Sequence, residues 1–156
     1  MRIAVGSDHR GFHLKQAVAP VLAELGHEHV DMGCGAGEQV DYPDVASLVA
    51  TAVASGRADR GVLICGTGIG MSITANKVPG VRAALCAEPI SARMARQHND
   101  ANVLCMGGGV VGEWLAREIT VAYLTTQFEG GRHVRRLGKI SALENGGGTR
   151  GPGESS

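Results

Sequence analysis

The sequence has no apolar run near the roughly 18 residues that a membrane-spanning helix needs, so no membrane partner is expected. It has no excess of charge. Lysine plus arginine and aspartate plus glutamate both number 15, which removes the general electrostatic argument for nucleic acid. It has no C-x-x-C pair: Cys34, Cys65, Cys86 and Cys105 stand far apart, which argues against a zinc ribbon or a thioredoxin-type motif. It has no Gly-Lys-Ser/Thr triplet, so a P-loop is excluded. No secretory h-region precedes the first strand pattern, and a cytoplasmic chain with free thiols is expected.

What is present is a chain of 156 residues, 44% apolar, enough for one domain with a sizeable core. Strand and helix patterns alternate along it. Strands are predicted at 2–6, 28–31, 61–65, 81–86 and 103–106, and helices at 11–25, 43–55, 71–76, 89–98, 110–127 and 132–144. Pro20 should kink the first helix or mark an irregular turn. From 145 to 156 the chain is glycine, serine, proline and charge, so a disordered tail is expected after a single domain spanning 1–144.

Such alternation predicts an α/β fold: a doubly wound, Rossmann-like, five-stranded parallel sheet with helices on both faces and a C-terminal helix. The commonest order for five strands is 2-1-3-4-5. Its switch point lies between the first and third strands, and ligands bind there, outside the carboxyl ends. Those ends carry Ser7-Asp8-His9 and Cys65-Gly66-Thr67. The topology thus predicts a carboxylate, an imidazole and a thiol at one crevice.

The strongest local signal is Cys65-Gly66-Thr67-Gly68-Ile69-Gly70. Its glycines allow a sharp turn that brings backbone N–H groups close to a ligand, and a helix start follows. Such a turn suits a phosphate or a developing oxyanion and favours a neighbouring thiolate, which makes Cys65 a candidate base or nucleophile. A plain tight turn with a buried cysteine is the competing structural account. A dinucleotide fingerprint fits poorly, because Met71 stands where its third glycine belongs and the loop follows the third strand.

Asp8-His9 could orient a hydroxyl and bind an anion, although an aspartate there also serves as a helix cap. His98, near a helix end, is a candidate acid or base or simply a complement to the helix dipole. Arg132 and Arg136, four apart on one helix face, could grip a phosphate with forked hydrogen bonds. His13, His27 and His29 are expected at the surface, with His133 a weak support for the phosphate site. Cys86 and Cys105 are expected in the core.

Taken together, Gly6-Ser7-Asp8-His9-Arg10-Gly11-Phe12, Asp41-Tyr42-Pro43, Ile64-Cys65-Gly66-Thr67-Gly68-Ile69-Gly70-Met71-Ser72, Ala75-Asn76-Lys77, Arg96-Gln97-His98-Asn99-Asp100-Ala101-Asn102 and Glu129-Gly130-Gly131-Arg132-His133 with Arg136 resemble the ribose-5-phosphate isomerase B family. That family also includes the two-subunit galactose-6-phosphate isomerase. The resemblance covers about 1–144. It implies a cytoplasmic enzyme of the pentose phosphate pathway that interconverts ribose 5-phosphate and ribulose 5-phosphate through a cis-enediolate, with no metal and no cofactor.

By the same resemblance Cys65 is the proton-transferring base, in a branch that does not use a glutamate at the position held here by Met71. Gly66, Gly68, Ile69 and Gly70 belong to the anion hole. His98 opens the sugar ring, with Thr67 and Asp8 assisting. His9, Arg132 and Arg136 grip the phosphate, and Tyr42 and Asn99 touch substrate. A homodimer or homotetramer is implied, with His98 and Asn99 crossing the subunit interface. An arginine usually follows Gly107-Gly108 in this family, whereas here Gly109 stands, and Arg10 and Arg135 are candidate replacements for its charge. Other substrates consistent with the sequence are allose 6-phosphate and a four-carbon erythrulose phosphate. A non-catalytic sugar-phosphate-binding protein and a nicotinamide-dependent reductase are the alternatives of other classes.

Overall fold

The computed structural model describes residues 1–146; the remainder of the expected tail, 147–156, lies outside the described residues. The chain alternates β1 (Arg2–Ser7), α1 (Phe12–Glu24), β2 (Glu28–Asp31), α2 (Tyr42–Ala54), β3 (Arg60–Cys65), α3 (Ile69–Ala75), β4 (Ala83–Leu85), α4 (Pro89–Asn99), β5 (Val103–Gly107), α5 (Glu113–Thr125) and α6 (Arg132–Glu144). All strand pairings are parallel. Among the described residues no helix is long and apolar enough to cross a membrane.

The sheet order is β2-β1-β3-β5-β4, which corrects the expected 2-1-3-4-5 at one edge. The physical reason lies in the two strands. β5 reads Val-Leu-Cys-Met-Gly and is buried throughout, as a central strand must be. β4 pairs over only three residues, and Leu85 stays 42% exposed. The expected strand at 81–86 also includes Arg82, whose guanidinium is at ease only near an edge. The switch point between β1 and β3 is as expected, since β1 pairs with both β2 and β3.

Successive strand residues face opposite layers, as the pleat requires. Ile3, Val5, Val62, Ile64, Leu104 and Met106 pack against α1, α4 and α5. Ala4, Leu63, Cys65, Val103 and Cys105 pack against α2 and α3. Cys65 therefore belongs to the face that α2 and α3 cover.

Three local readings are adjusted. α1 runs through Pro20 without interruption, because Pro20 lies on the exposed face, where the unpaired carbonyl one turn earlier can be hydrated. α5 begins at Glu113 rather than 110, since Gly112 is extended and Val110 and Val111 donate to the Gly107 carbonyl in a turn. α3 begins at Ile69, two residues before the expected start.

The end of β2 is anchored by a buried cation. Lys15 on α1 is 2% exposed, and its Nζ donates to Asp31 Oδ1 at 2.9 Å and to the Cys34 carbonyl at 2.7 Å. Lys15→Met keeps the stem volume but removes these charge-assisted bonds. It should lower unfolding free energy by about 1.5–3 kcal/mol, read from urea midpoints at constant slope. An unchanged midpoint would show that the anchor contributes nothing net.

Candidate active site

β1 and β3 end side by side, with Ser7 opposite Ile64 and the Asp8 N–H donating to the Ile64 carbonyl at 3.2 Å. Beyond that pairing the two chains part and leave a crevice. The Asp8 carboxylate is 5% exposed, and its Oδ1 accepts from the N–H groups of Arg10 and Gly11 at 2.9 and 3.0 Å. It shapes the entry to α1, whose N-cap position is Gly11 and not Asp8, and it also lines the crevice.

Cys65 closes β3 at 5% exposure. Its Sγ accepts the Gly68 N–H at 3.1 Å, a contact worth more to a thiolate than to a thiol. This geometry requires glycine at 68: φ is +78°, and a Cβ there would lie 2.5 Å from Leu85 Cδ1 and 2.8 Å from the Met106 carbonyl carbon. The Ile69 N–H is likewise engaged, by Thr67 Oγ1 at 3.3 Å. Two donors of the expected anion hole are thus already used inside the loop.

A cavity of about 400 Å³ opens over this turn. Cys65, Gly66, Thr67 and Gly70 form one wall, Asp8 and Arg10 another, and Tyr42, Ile69 and Ile73 the rim. The Tyr42 ring lies on Gly70, where a Cβ would be 2.5 Å from ring Cε2. Two other sulfurs, Cys86 and Cys105, are held neutral. Burial and nearby Glu88 push Cys86 up to about 11, and complete burial pushes Cys105 higher still.

The remaining expected residues do not line this cavity. His9 is exposed and faces a separate cavity of about 640 Å³ beside Glu38, Asp41 and Asp44. His98 and Asn99 end α4, just before the amino end of β5, where Gly61 N–H meets the Asn102 carbonyl. Cys65 pairs with Gly107 at the opposite end of β5. Five residues of strand separate the two ends, a span of about 15 Å. Within one chain, Cys65 and His98 therefore sit at opposite ends of the sheet.

At the amino end a second cluster forms. His98 stacks on His133, with ring centroids 4.4 Å apart and planes 9° from parallel. Glu129 Oε2 lies 3.9 Å from His98 Nε2 and 3.8 Å from His133 Nε2. The Glu129 N–H donates to the Gln97 carbonyl at 3.0 Å, which ties the segment before α6 to α4. His133 is only 4% exposed, more central than a weak support at the surface, and Arg132 and Arg136 flank it on exposed turns of α6. His27, expected at the surface, is half-buried. The three ligand atoms of His98, Glu129 and His133 are close enough for a metal ion. Near-parallel stacked rings, however, cannot both aim an in-plane lone pair at one ion, so the arrangement fits a metal poorly. Sequence reasoning passed over Glu129 because its partners are four and more than thirty residues away.

The Ribose/Galactose Isomerase family matches residues 3–140. The ribose-5-phosphate isomerase B of Escherichia coli is 53% identical over 143 residues, covering 92% of this chain and 96% of that protein. The D-erythrulose-4-phosphate isomerase of Pectobacterium atrosepticum is 42% identical over 146 residues, covering 93% and 96%. Among solved structures, Clostridium thermocellum ribose-5-phosphate isomerase B superposes with a TM-score of 0.91 at 52% identity, covering 94% of this chain and 99% of that one.

Desolvation lowers the His133 pKa, and neighbouring His98, Arg132 and Arg136 lower it further against the opposing pull of Glu129. The unfolded chain, with a histidine near 6.5, therefore takes up a proton first. Stability should be fully present above that pH and decline as pH falls below it. His133→Phe keeps a flat ring for stacking and should flatten the decline in melting temperature measured between neutral and mildly acidic pH. An unaltered pH profile in that variant would contradict the assignment.

Proposed function

The chain belongs to the ribose/galactose isomerase family, and from that premise we propose that it interconverts ribose 5-phosphate and ribulose 5-phosphate. The observation that carries the reading is the Cys65 thiol, fixed at the carboxyl end of β3 in a cavity shared with Asp8, Thr67 and Tyr42. The Cys65 thiolate takes the C2 proton of the open-chain aldose. The electron pair left behind forms the C1–C2 double bond of an enediolate, and the former carbonyl oxygen gains negative charge. The Gly70 N–H, which the loop leaves unengaged, and the Thr67 hydroxyl stabilise that oxygen. The thiol returns the proton to C1 while the C2 hydroxyl proton passes to the C1 oxygen and C2 becomes the carbonyl, so atoms and electrons balance with no outside oxidant. Asp8 orients a substrate hydroxyl, and the phosphate end supplies binding energy that holds C1 and C2 against the sulfur.

Ring opening is suited to an imidazole acid–base, and no histidine lines this cavity within one chain. His98 fills that role from a second copy, which brings Asn99, Arg132 and Arg136 with it as partners for the ring hydroxyls and the phosphate. Exposed Ile69 and Ile73 on α3, and Ile90 and Met94 on α4, offer apolar surface for such a homodimer. The proposed location is the cytoplasm, where sugar phosphates are metabolised. A four-carbon erythrulose phosphate is the second substrate to test, because one relative is named for it.

Cys65→Ser should lower kcat by several orders of magnitude and leave substrate binding largely intact, since a serine hydroxyl is a poor base at neutral pH. Near-normal turnover would remove Cys65 from the reaction. The shared site is tested by mixing. Cys65→Ser and His98→Asn proteins, each weakly active alone, should form hybrids with one intact site and regain up to about a quarter of native activity. Mixed and separate proteins with equal activity would place both residues within one subunit's site or outside it.

A further inference from the structure

The walls of the Cys65 cavity contain one cation, Arg10, opposite the turn that follows the base. Arg10 is exposed, and among the described residues its guanidinium joins no ion pair and no hydrogen bond. Only its backbone N–H is engaged, by Asp8 Oδ1 at 2.9 Å. Three buried or half-buried arginines are used differently. Arg60 donates to the Tyr123 carbonyl, Arg82 to those of Asn99 and Asp100, and Arg96 to that of Ala101. Arg10 has been left free of such structural work.

Its position is also specific. The side chain lies across Gly66, where an added Cβ would be 3.1 Å from Nε and 3.4 Å from Cζ. A side chain at 66 would push the guanidinium out of the cavity. The next strand end completes the corner: Gly108 N–H donates to the Cys65 carbonyl at 2.7 Å and Gly109 N–H to the Gly66 carbonyl at 2.9 Å. A Cβ at 108 would lie 2.7 Å from the Arg10 carbonyl oxygen, so residue 10 is flanked by both 66 and 108. Gly66 thus makes room for the Arg10 side chain and Gly108 for the Arg10 backbone, within the cavity of the reactive sulfur.

We propose that Arg10 is a specificity-determining residue that grips the substrate phosphate from the carboxyl end of β1. The proposal rests on the isomerase reading and adds to it an anion contact made by the same chain that supplies Cys65. A planar guanidinium with no other partner presents two parallel N–H donors, the pattern that phosphate oxygens accept. A sugar without phosphate gains nothing from it, so Arg10 selects for the phosphorylated substrate through binding and leaves the proton transfer to Cys65.

The test uses the native protein, Arg10→Lys, Arg10→Gln and Gly109→Arg, with two readouts: steady-state kinetics on ribose 5-phosphate and calorimetric titration with inorganic phosphate. Arg10→Gln should raise KM and weaken phosphate affinity about ten-fold or more, with kcat within a few-fold of native. Arg10→Lys, which keeps the charge and loses the fork, should fall between. Melting temperatures should not change, since among the described residues the guanidinium has no partner. Gly109→Arg crowds a corner that already holds a cation and should leave KM unchanged or raised. Unchanged KM and phosphate affinity in Arg10→Gln would overturn the inference, as would a lower KM in Gly109→Arg or a loss confined to kcat. If the native protein shows no isomerase activity yet loses phosphate affinity on Arg10→Gln, the isomerase reading fails and the grip stands.

Discussion

The Gly68 N–H aimed at Cys65 Sγ, at 3.1 Å, is the contact on which the rest of the site depends. It exists because β3, buried on both faces, can deliver the sulfur only at its final residue, where the chain must turn within three positions. That turn needs φ of +78° and no side chain at 68, with Leu85 and Met106 packed against the missing Cβ. Leu85 comes from β4 and Met106 from β5. Packing against β4 and β5 therefore fixes the direction of one backbone donor, and that donor fixes the sulfur.

Everything else arranged around the sulfur follows from parallel topology. Asp8 arrives because β1 lies beside β3 and ends one residue earlier in register. Tyr42 arrives because α2 covers the face to which Cys65 belongs, and Gly70 lets its ring approach. The same topology sends α4 back to the amino ends of the strands, which carries His98 away from the sulfur and stacks it on His133. A parallel sheet cannot bring the two ends together within one chain. On the proposed reading, a second copy is a chemical requirement of ring opening, beyond any gain in stability.

Much of this was legible in the sequence, for identifiable reasons. Cys65, Thr67 and Asp8 were predicted to meet because strand ends and the switch point follow from connection rules, and those rules do not depend on side-chain detail. The order of β4 and β5 was not legible, because a strand's depth in the sheet depends on how many residues pair. The run at 81–86 looked as apolar as the run at 103–106 until Arg82 and exposed Leu85 are placed at an edge. For His98 and Asn99 the resemblance already implied supply across a subunit interface, but the separation of His9, Arg132 and Arg136 from Cys65 was hidden, since it grouped them as a phosphate grip without saying which copy supplies them. Between Arg10 and Arg135, both candidates to replace the charge missing at 109, the sequence could not choose, and Glu129 was overlooked, because the significance of each lies in what it does or does not touch in the folded chain.

The central claim is that a proton moves between C1 and C2 through the Cys65 sulfur. Proton NMR of ribose 5-phosphate incubated in deuterium oxide measures this directly. The account predicts that the ribulose 5-phosphate formed carries deuterium at C1, because a thiol that has taken the C2 proton can exchange it with solvent before returning it. It also predicts that Cys65→Ser binds the sugar yet leaves the C2 proton in place. Product formed with no solvent deuterium at C1, at a rate unaffected by that substitution, would mean the hydrogen moves without the sulfur and would contradict the account.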